Sequence, residues 1–212
     1  MKPSVSKEQI LKRLRKALIN KVPNPFPNTD FEKSIYPDSE DTNDVLFAKE
    51  FIDVNGQFVY CTDAYDFSNN LRSLIEEKNW NSIHCMDKDI LELCKNMQIK
   101  NIKEDHNLSK SEVGITACEL LIARTGSILV SSKQSSGRQL SIFPPVHIVV
   151  ASTDQLVYDL KEAFDSMKKK YRKGFPSMMG IITGPSRTAD IEKTLVLGAH
   201  GPKELYLFLI EK

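Results

Sequence analysis

The chain has 212 residues, 41% of them hydrophobic and 27% charged, which is typical of a soluble globular protein with a buried core. A formal net charge of +1 excludes a global field that would recruit nucleic acid or an anionic membrane surface. We expect a cytoplasmic protein without a membrane span, because no run of roughly eighteen apolar residues and no apolar secretory segment occurs.

An amphipathic helix followed by a proline-rich arm is predicted over residues 1–43. Ser6 and Gln9 have the spacing of a capping box, and the apolar residues after them fall on one helical face. Prolines at positions 23, 25, 27 and 37 then predict an irregular or extended arm. The helix packs either on a partner, which includes a second copy in a homo-oligomer, or back on its own domain.

Residues 44–212 are predicted to form one α/β domain with a mostly parallel sheet. Helices are predicted over 44–54, 64–80, 89–97 and 154–170, and strands over 57–61, 82–86, 147–152, 178–183 and 204–211. This alternation of helices and short apolar strands is typical of a parallel sheet. The apolar run 118–132 contains a tight turn at Arg124, Thr125 and Gly126, which predicts an antiparallel hairpin.

Cysteine spacing argues against a metal or iron–sulfur site in this chain. The four cysteines have no Cys-x-x-Cys spacing and lie in apolar or helical segments: Cys61, Cys85, Cys94 and Cys118. They are expected to be buried thiols in a reducing compartment. No cofactor is therefore expected here, and no nucleotide-binding glycine motif is present.

One basic run, "KKKYRK", covers residues 168–173 at the end of a predicted helix. Cations at that end complement the helix dipole, which is the interpretation we favour. An anion-binding patch is the alternative.

Three loops, 124–127, 131–146 and 184–190, follow predicted strands or turns and carry polar side chains. In open parallel sheets, ligands bind where such loops converge at the carboxyl ends of strands. The third loop offers a flexible backbone, hydroxyls and a guanidinium to a carboxylate or phosphate, from Gly184, Ser186, Arg187 and Thr188. The alternative is local, with Arg187 paired to Asp190 or Glu192.

Histidines offer a second kind of chemistry. His200 lies in a glycine-rich turn, where it could act as an acid, a base or a hydrogen-bond donor, or simply contact nearby carbonyl groups. His147 begins a buried strand after two prolines, and we interpret it as structural.

Three segments resemble the LUD-domain family, specifically its lactate utilization protein C members. They are "EVGITACELLIARTGSILV", "GRQLSIFPPVHIVV" and, most specifically, "GPSRTADIEKTLVLGAHGP". The similarity runs from about residue 42 to the C-terminus. It implies a Rossmann-like three-layer sandwich, similar to the sugar-phosphate isomerase and CoA-transferase group. It also implies a bacterial system that oxidises L-lactate to pyruvate, with iron–sulfur clusters on partner subunits. The charge at Arg124 and the longer acid at Glu119 depart from the family pattern.

The resemblance and the loops together give a leading hypothesis, a non-redox component that binds a small carboxylate or shapes the interface with the redox subunits. Arg138 and Arg187 would contact the anion, and Thr125, Gly126 and Ser186 would donate hydrogen bonds. The candidates for positioning substrate or transferring protons are Asp190, Glu192 and His200. Two alternatives stay open: a stand-alone isomerase or transferase acting on a phosphorylated or CoA-linked metabolite, and an interaction protein with a vestigial pocket.

Overall fold

The computed structural model describes residues 6–19, 23–30, 36, 39–105, 107–188 and 196–212. The chain divides into two units, Met1–Asp38 and Ser39–Lys212. The first contains the predicted amphipathic helix, α1 (Ser6–Ile19), whose side chains are all exposed. What this helix packs on stays a prediction.

The second unit alternates helices and strands as the sequence predicts. Its helices are α2 (Asn43–Asp53), α3 (Ala64–Lys78), α4 (Lys88–Asn96) and α5 (Leu160–Lys170). Its strands are β1 (Gln57–Cys61), β2 (Ile83–Cys85), β3 (Ile102–Lys103), β4 (Val113–Ala117), β5 (Leu120–Ile122), β6 (Ser127–Ser131), β7 (Val146–Ser152), β8 (Leu156–Val157), β9 (Met179–Ile182), β10 (Arg187–Thr188), β11 (Val196–Leu197) and β12 (Glu204–Ile210). No helix in the described parts of the chain is long and apolar enough to cross a membrane.

Aspartates fix the start of three helices. The side chains of Asp63, Asp87 and Asp159 accept hydrogen bonds from backbone N–H groups three residues further on, at 2.7, 3.4 and 2.9 Å. Each satisfies a donor that the first helical turn leaves unpaired, and such a cap contributes about 1 kcal/mol.

The main sheet has six strands in the order β1-β12-β7-β4-β2-β3, and every neighbouring pair is parallel. Successive side chains of β7 point to opposite faces of the sheet, as in any strand, and so belong to two different hydrophobic cores. Ile148 and Val150 pack with α3 and α4, whereas Val149 and Ala151 pack with α2 and the second sheet. Both faces of the sheet are therefore buried, which confirms the predicted α/β fold with a mostly parallel sheet.

A second sheet, in the order β8-β5-β6-β9, covers the α2 side of the main sheet. β5 and β6 are antiparallel, so the hairpin predicted around the turn at residues 124–126 is confirmed. Ala163 and Met167 of α5 pack with Ile122 and Leu129 on the outer face of this sheet. A short antiparallel pair, β10 and β11, makes a third sheet.

The structure corrects three predictions of local structure. β4 has no counterpart in the prediction, because its apolar residues continue almost directly into those of β5. The helix predicted over 154–170 begins only at Leu160, since residues 153–157 form a short 3-10 turn and the strand β8. β9 belongs to the second sheet, antiparallel to β6, and not to the parallel sheet.

The prediction of buried thiols is confirmed, since all four cysteines are free and buried. Burial raises the pKa of Cys61 and Cys94 to about 11, and that of Cys85 and Cys118 to about 12. The thiols are therefore protonated at neutral pH.

Candidate functional site

A cavity of about 350 Å³ lies between the main sheet and the second sheet, and we call it the His147 cavity. Its polar lining comes from three places in the sequence: the loop after β6, the start of β7, and the two turns near the C-terminus. The polar side chains in the wall are Ser131, Arg138, Ser141, His147, Thr183, Ser186 and His200. Apolar side chains, among them Ile182 and Leu205, complete the wall.

The cavity lies at the opposite edge of the main sheet from the one predicted. His147 is the second residue of β7 and Leu205 the second residue of β12, so the main sheet contributes the amino ends of its strands. The second sheet contributes the carboxyl end of β6 and most of the length of β9. Its antiparallel strands carry the turn at 184–186 to this edge.

His147 is the most unusual group in the wall because it is fully buried and only one of its two ring nitrogens has a hydrogen-bond partner among the described residues. Its Nε2 lies 2.9 Å from the hydroxyl of Thr116, whereas its Nδ1 has no hydrogen-bond partner among the described residues. Burial lowers the pKa of His147 to about 4, so the ring is neutral at physiological pH. A buried polar atom without a partner destabilises the fold, which makes this nitrogen a candidate for contact with a ligand.

The two glycine-rich turns near the C-terminus are hydrogen-bonded to each other. The N–H of Ser186 donates to the carbonyl of Pro202 at 2.8 Å, and the N–H of Gly198 donates to the carbonyl of Ser186 at 2.9 Å. Gly201 passes close to Ser186, since a Cβ at position 201 would lie 3.1 Å from the Cβ of Ser186. These contacts bring Ser186 and His200 into one wall of the cavity.

Arg138 is the cationic side chain that the described residues place in the cavity wall. It is exposed and lies in the loop between β6 and β7, two residues before Leu140, which is buried against the start of β4. Gly114 makes this approach possible, because a Cβ at position 114 would lie 2.3 Å from the carbonyl oxygen of Leu140. The loop is thus held on β4, and Arg138 is held beside the cavity.

The structure brings only part of the predicted ligand site together. Arg138, Gly184 and Ser186 line the cavity, together with the predicted acid–base candidate His200. Thr125, Gly126, Arg187 and Thr188 are not in its wall. The other two acid–base candidates, Asp190 and Glu192, lie outside the described residues.

The residues outside the cavity pack or pair elsewhere. Gly126 has a φ of 55° and touches α2, since a Cβ there would lie 2.4 Å from the backbone nitrogen of Phe51. The exposed guanidinium of Arg187 donates to the carbonyl of Val54, just after α2. Thr188 pairs with Val196 in the short third sheet. Gly126 and Arg187 therefore contact α2 or the residue that follows it, and Thr188 lies in the third sheet.

A chain of hydroxyl groups links Thr125 to the cavity. The hydroxyl of Ser127 lies 2.8 Å from that of Thr125 and 2.8 Å from that of Thr183, which is in the cavity wall. Thr125 is therefore two hydrogen bonds away from the wall, where it can orient Thr183 without contacting a ligand.

A buried carboxylate beside the cavity was not predicted as a site. Glu119 accepts hydrogen bonds from Ser131 at 2.5 Å, Lys170 at 2.7 Å and Tyr171 at 2.8 Å, and we call these four residues the Glu119 cluster. Burial disfavours the charged form, but the donors outweigh it and hold the pKa of Glu119 below its usual value. In the sequence Glu119 is an acid at the start of the apolar hairpin segment that departs from the family pattern, and its partner Lys170 is 51 residues away.

The chemistry available in the cavity is hydrogen bonding and charge pairing. A neutral imidazole can accept or donate one hydrogen bond at Nδ1, and a guanidinium can contact an anion through two parallel N–H bonds. The described residues contain no group of three or more His, Cys, Asp or Glu side chains placed to hold a metal ion.

Comparison with known proteins gives one family for most of the chain. The family model described as LUD domain matches residues 46–210. The lactate utilization protein C of Bacillus subtilis is 34% identical over 116 residues, which cover 52% of this chain and 48% of that protein. The Neisseria meningitidis protein NMB1437 is 36% identical over 99 residues, which cover 47% of this chain and 42% of that protein.

A solved structure shows the same fold. It is the crystal structure of a DUF162 family protein from Deinococcus radiodurans, with a TM-score of 0.59 and 21% identity. The match covers 82% of this chain and 99% of that one.

Proposed function

Because this chain belongs to the LUD domain family, we propose that it is a component of a lactate utilization system. In this proposal it carries no redox centre and works with iron–sulfur partner proteins that oxidise L-lactate to pyruvate. The names of its relatives support a role in lactate utilization. The matched segment spans under half the length of these relatives, 48% in Bacillus subtilis and 47% in Bacillus licheniformis, so the activity of the whole proteins is itself part of the proposal.

The site of action in this proposal is the His147 cavity, which binds a small carboxylate. The observation that carries this proposal is a fully buried His147 whose Nδ1 has no partner among the described residues, in the wall of a cavity of about 350 Å³. That volume is at the lower end of the range of small-molecule pockets, about 300–1,000 Å³.

Two groups in the wall match the two ends of a 2-hydroxy acid. The carboxylate pairs with the guanidinium of Arg138, whose planar fork fits two carboxylate oxygens. The hydroxyl, or the keto oxygen of the oxidised form, bonds to the imidazole of His147. The apolar side chains of Ile182 and Leu205 would accommodate the methyl group. An open cavity also speaks against the alternative of an interaction protein with a vestigial pocket.

Growth on a defined carbon source tests the proposed role. Deleting the gene should abolish growth on L-lactate and leave growth on pyruvate unchanged, because only the oxidation step is lost. A plasmid copy of the wild-type gene should restore growth. A copy encoding His147→Gln should not, although the protein accumulates to the wild-type level. Unimpaired growth of the deletion strain on L-lactate, with no second copy of the gene, would refute the role.

A further inference from the structure

A second concave site lies on the outer side of the Glu119 cluster. It has a volume of about 430 Å³ and is lined by Lys133, Lys170, Tyr171, Arg172, Lys173 and Gly174. We call it the basic cleft. Its wall comes from two places, the loop after β6 and the end of α5 with the turn that follows it. The proposed function makes no use of it.

The helix dipole accounts for only part of this positive charge. Lys168, Lys169 and Lys170 occupy the last turn of α5, where cations are favourable. Lys133 comes from a different element, and its side chain extends across to the turn. A Cβ at Gly174 would lie 3.9 Å from the Nζ of Lys133. Tertiary structure thus adds a further cation to a site that already contains several.

Most of the cations in the cleft wall lack an acidic partner in the part of the chain that the structure describes. Lys170 pairs with Glu119 at 2.7 Å, and Lys168, outside the cleft, pairs with Asp165 at 3.1 Å. Lys133, Arg172 and Lys173 form no ion pair with a described residue. Like charges gathered around one concavity repel each other, and a bound anion would offset that repulsion.

We propose that the basic cleft binds the phosphate group of a small molecule. Phosphate carries up to two negative charges and three strong acceptor oxygens, so it can engage several cations at once, which a monocarboxylate does not. The guanidinium of Arg172 and the ammonium groups of Lys133 and Lys173 are the donors. A concave site on a chain of net charge +1 fits a small anion better than a nucleic acid, which needs an extended basic face.

The basic cleft is connected to the His147 cavity through hydrogen bonds. Lys170 and Tyr171, in the cleft wall, both donate to Glu119. Glu119 accepts a hydrogen bond from Ser131, which lines the cavity. An anion that draws Lys170 outward would weaken its bond to Glu119 and so alter the wall of the cavity. Binding in the cleft itself does not depend on what the cavity binds.

Calorimetric titration of the full chain with inorganic pyrophosphate, at about 150 mM salt, tests the site. The variants are Lys133→Gln and Lys173→Gln. The matched control is Lys169→Gln, which removes the same charge from the end of α5 but lies outside the cleft wall. We expect saturable binding of one pyrophosphate per chain, weakened about tenfold by either cleft variant and less than about twofold by the control. Thermal melts confirm that each variant is folded.

Three results would overturn the proposal: no saturable binding of pyrophosphate by the folded wild-type chain, equal weakening by Lys169→Gln, or tighter binding of a poly-glutamate peptide than of pyrophosphate. The last result would assign the cleft to an acidic protein segment. Parallel titrations with inorganic phosphate and glycerol 3-phosphate separate the two sources of a phosphate group. Tighter binding of glycerol 3-phosphate indicates an organic phosphate, and the reverse order indicates the free anion; either order supports a phosphate site.

Discussion

The Glu119 cluster and the His147 cavity are two buried polar regions that share one residue, Ser131, and differ in how well their polar atoms are satisfied. Glu119 is 3% exposed and accepts three hydrogen bonds, one of them from a cation. His147 is fully buried, and its side chain has one hydrogen-bond partner among the described residues, Thr116. Burial opposes the charge of both groups, yet Glu119 is stabilised as an anion whereas His147 is left neutral.

This difference in hydrogen bonding indicates a structural role for the Glu119 cluster and a binding role for the His147 cavity. The Glu119 cluster joins the hairpin of β5 and β6 to the end of α5, and its hydrogen bonds hold these elements together. In the His147 cavity, the Nδ1 atom of a lining residue has no hydrogen-bond partner among the described residues, and a buried polar atom without a partner lowers stability. Changes in the first region should therefore affect folding, and changes in the second should affect binding.

The largest expected effect is on stability, from Lys170→Met. The substitution keeps most of the apolar stem but leaves the buried carboxylate of Glu119 without its cation. We expect the free energy of unfolding to fall by roughly 2 to 3 kcal/mol, between the costs of breaking an exposed and a buried pair, because the Lys170 side chain is 57% exposed whereas that of Glu119 is buried. Urea denaturation measures it.

Lys168→Met is the matched control for this change. Lys168 pairs with Asp165 on the surface of the same helix, so its loss should cost less than about 1 kcal/mol. Equal effects of the two substitutions would show that the Glu119 cluster does not hold α5 in place.

The second prediction concerns the pH dependence of stability that His147 causes. The unfolded chain binds a proton at this residue below its ordinary pKa of 6.5, whereas the folded chain binds it only below about 4. Stability is therefore lost as the pH falls through this window. Since one pKa unit corresponds to 1.36 kcal/mol, the loss from pH 7 to pH 5 should be about 2 kcal/mol.

Comparison with His147→Gln isolates this contribution. The variant lacks the titrating ring, so its stability should fall by about 2 kcal/mol less than that of the wild type over the same interval. Glu119 contributes to the loss only at lower pH, because its pKa lies below 4.5 in the folded chain. Parallel curves for the two proteins would mean that His147 is not buried as a neutral ring.

The third prediction concerns binding without a change in stability. Arg138→Gln removes the positive charge from the cavity wall, and we expect the affinity for L-lactate to fall about tenfold, or about 1.4 kcal/mol. The free energy of unfolding should change by less than about 0.5 kcal/mol, because Arg138 is exposed. Arg172→Gln, in the basic cleft, removes the same charge and serves as the control. If both variants lose the same affinity for lactate, Arg138 acts only through its long-range charge and does not contact the carboxylate.

The smallest effect is expected for Arg187→Ala. Arg187 belongs to the most specific motif of the sequence, but its guanidinium donates to Val54 and not to the cavity. We expect a loss of about 1 kcal/mol of stability, the contribution of one hydrogen bond, and an unchanged affinity for L-lactate. If a folded Arg187→Ala protein no longer binds lactate, Arg187 is part of the binding site and this prediction is wrong.

Local sequence patterns predict most of the fold because their causes are local. Helical periodicity identifies α3 and α4, and short apolar runs identify β1, β7 and β12. The strand β4 escapes prediction, since no glycine or proline separates its apolar run from that of β5. The start of α5 is misplaced because the pairing of β8 with β5, a tertiary contact, keeps residues 156–157 extended.

The site is less predictable because it depends on which turns meet. Glycine and proline identify the two C-terminal turns from the sequence, and the structure places Gly184, Ser186 and His200 of these turns in one cavity wall. Arg187 and Thr188 share the same motif yet face α2 and the third sheet, which only the fold decides. His147 looks structural in sequence, because a strand pattern does not show that one ring nitrogen lacks a partner among the described residues.

The central claim, that the His147 cavity binds a small carboxylate, is tested most directly by NMR on the protein with isotope-labelled histidine rings. The ring signals of His147 are assigned by their absence from His147→Gln. Titration with L-lactate should shift them saturably, with a dissociation constant on the order of 1 mM, a range usual for small metabolites. Arg138→Gln should weaken that response about tenfold. Ring signals of His147 that stay unchanged in the folded wild-type protein, at lactate concentrations well above that range, would contradict the account.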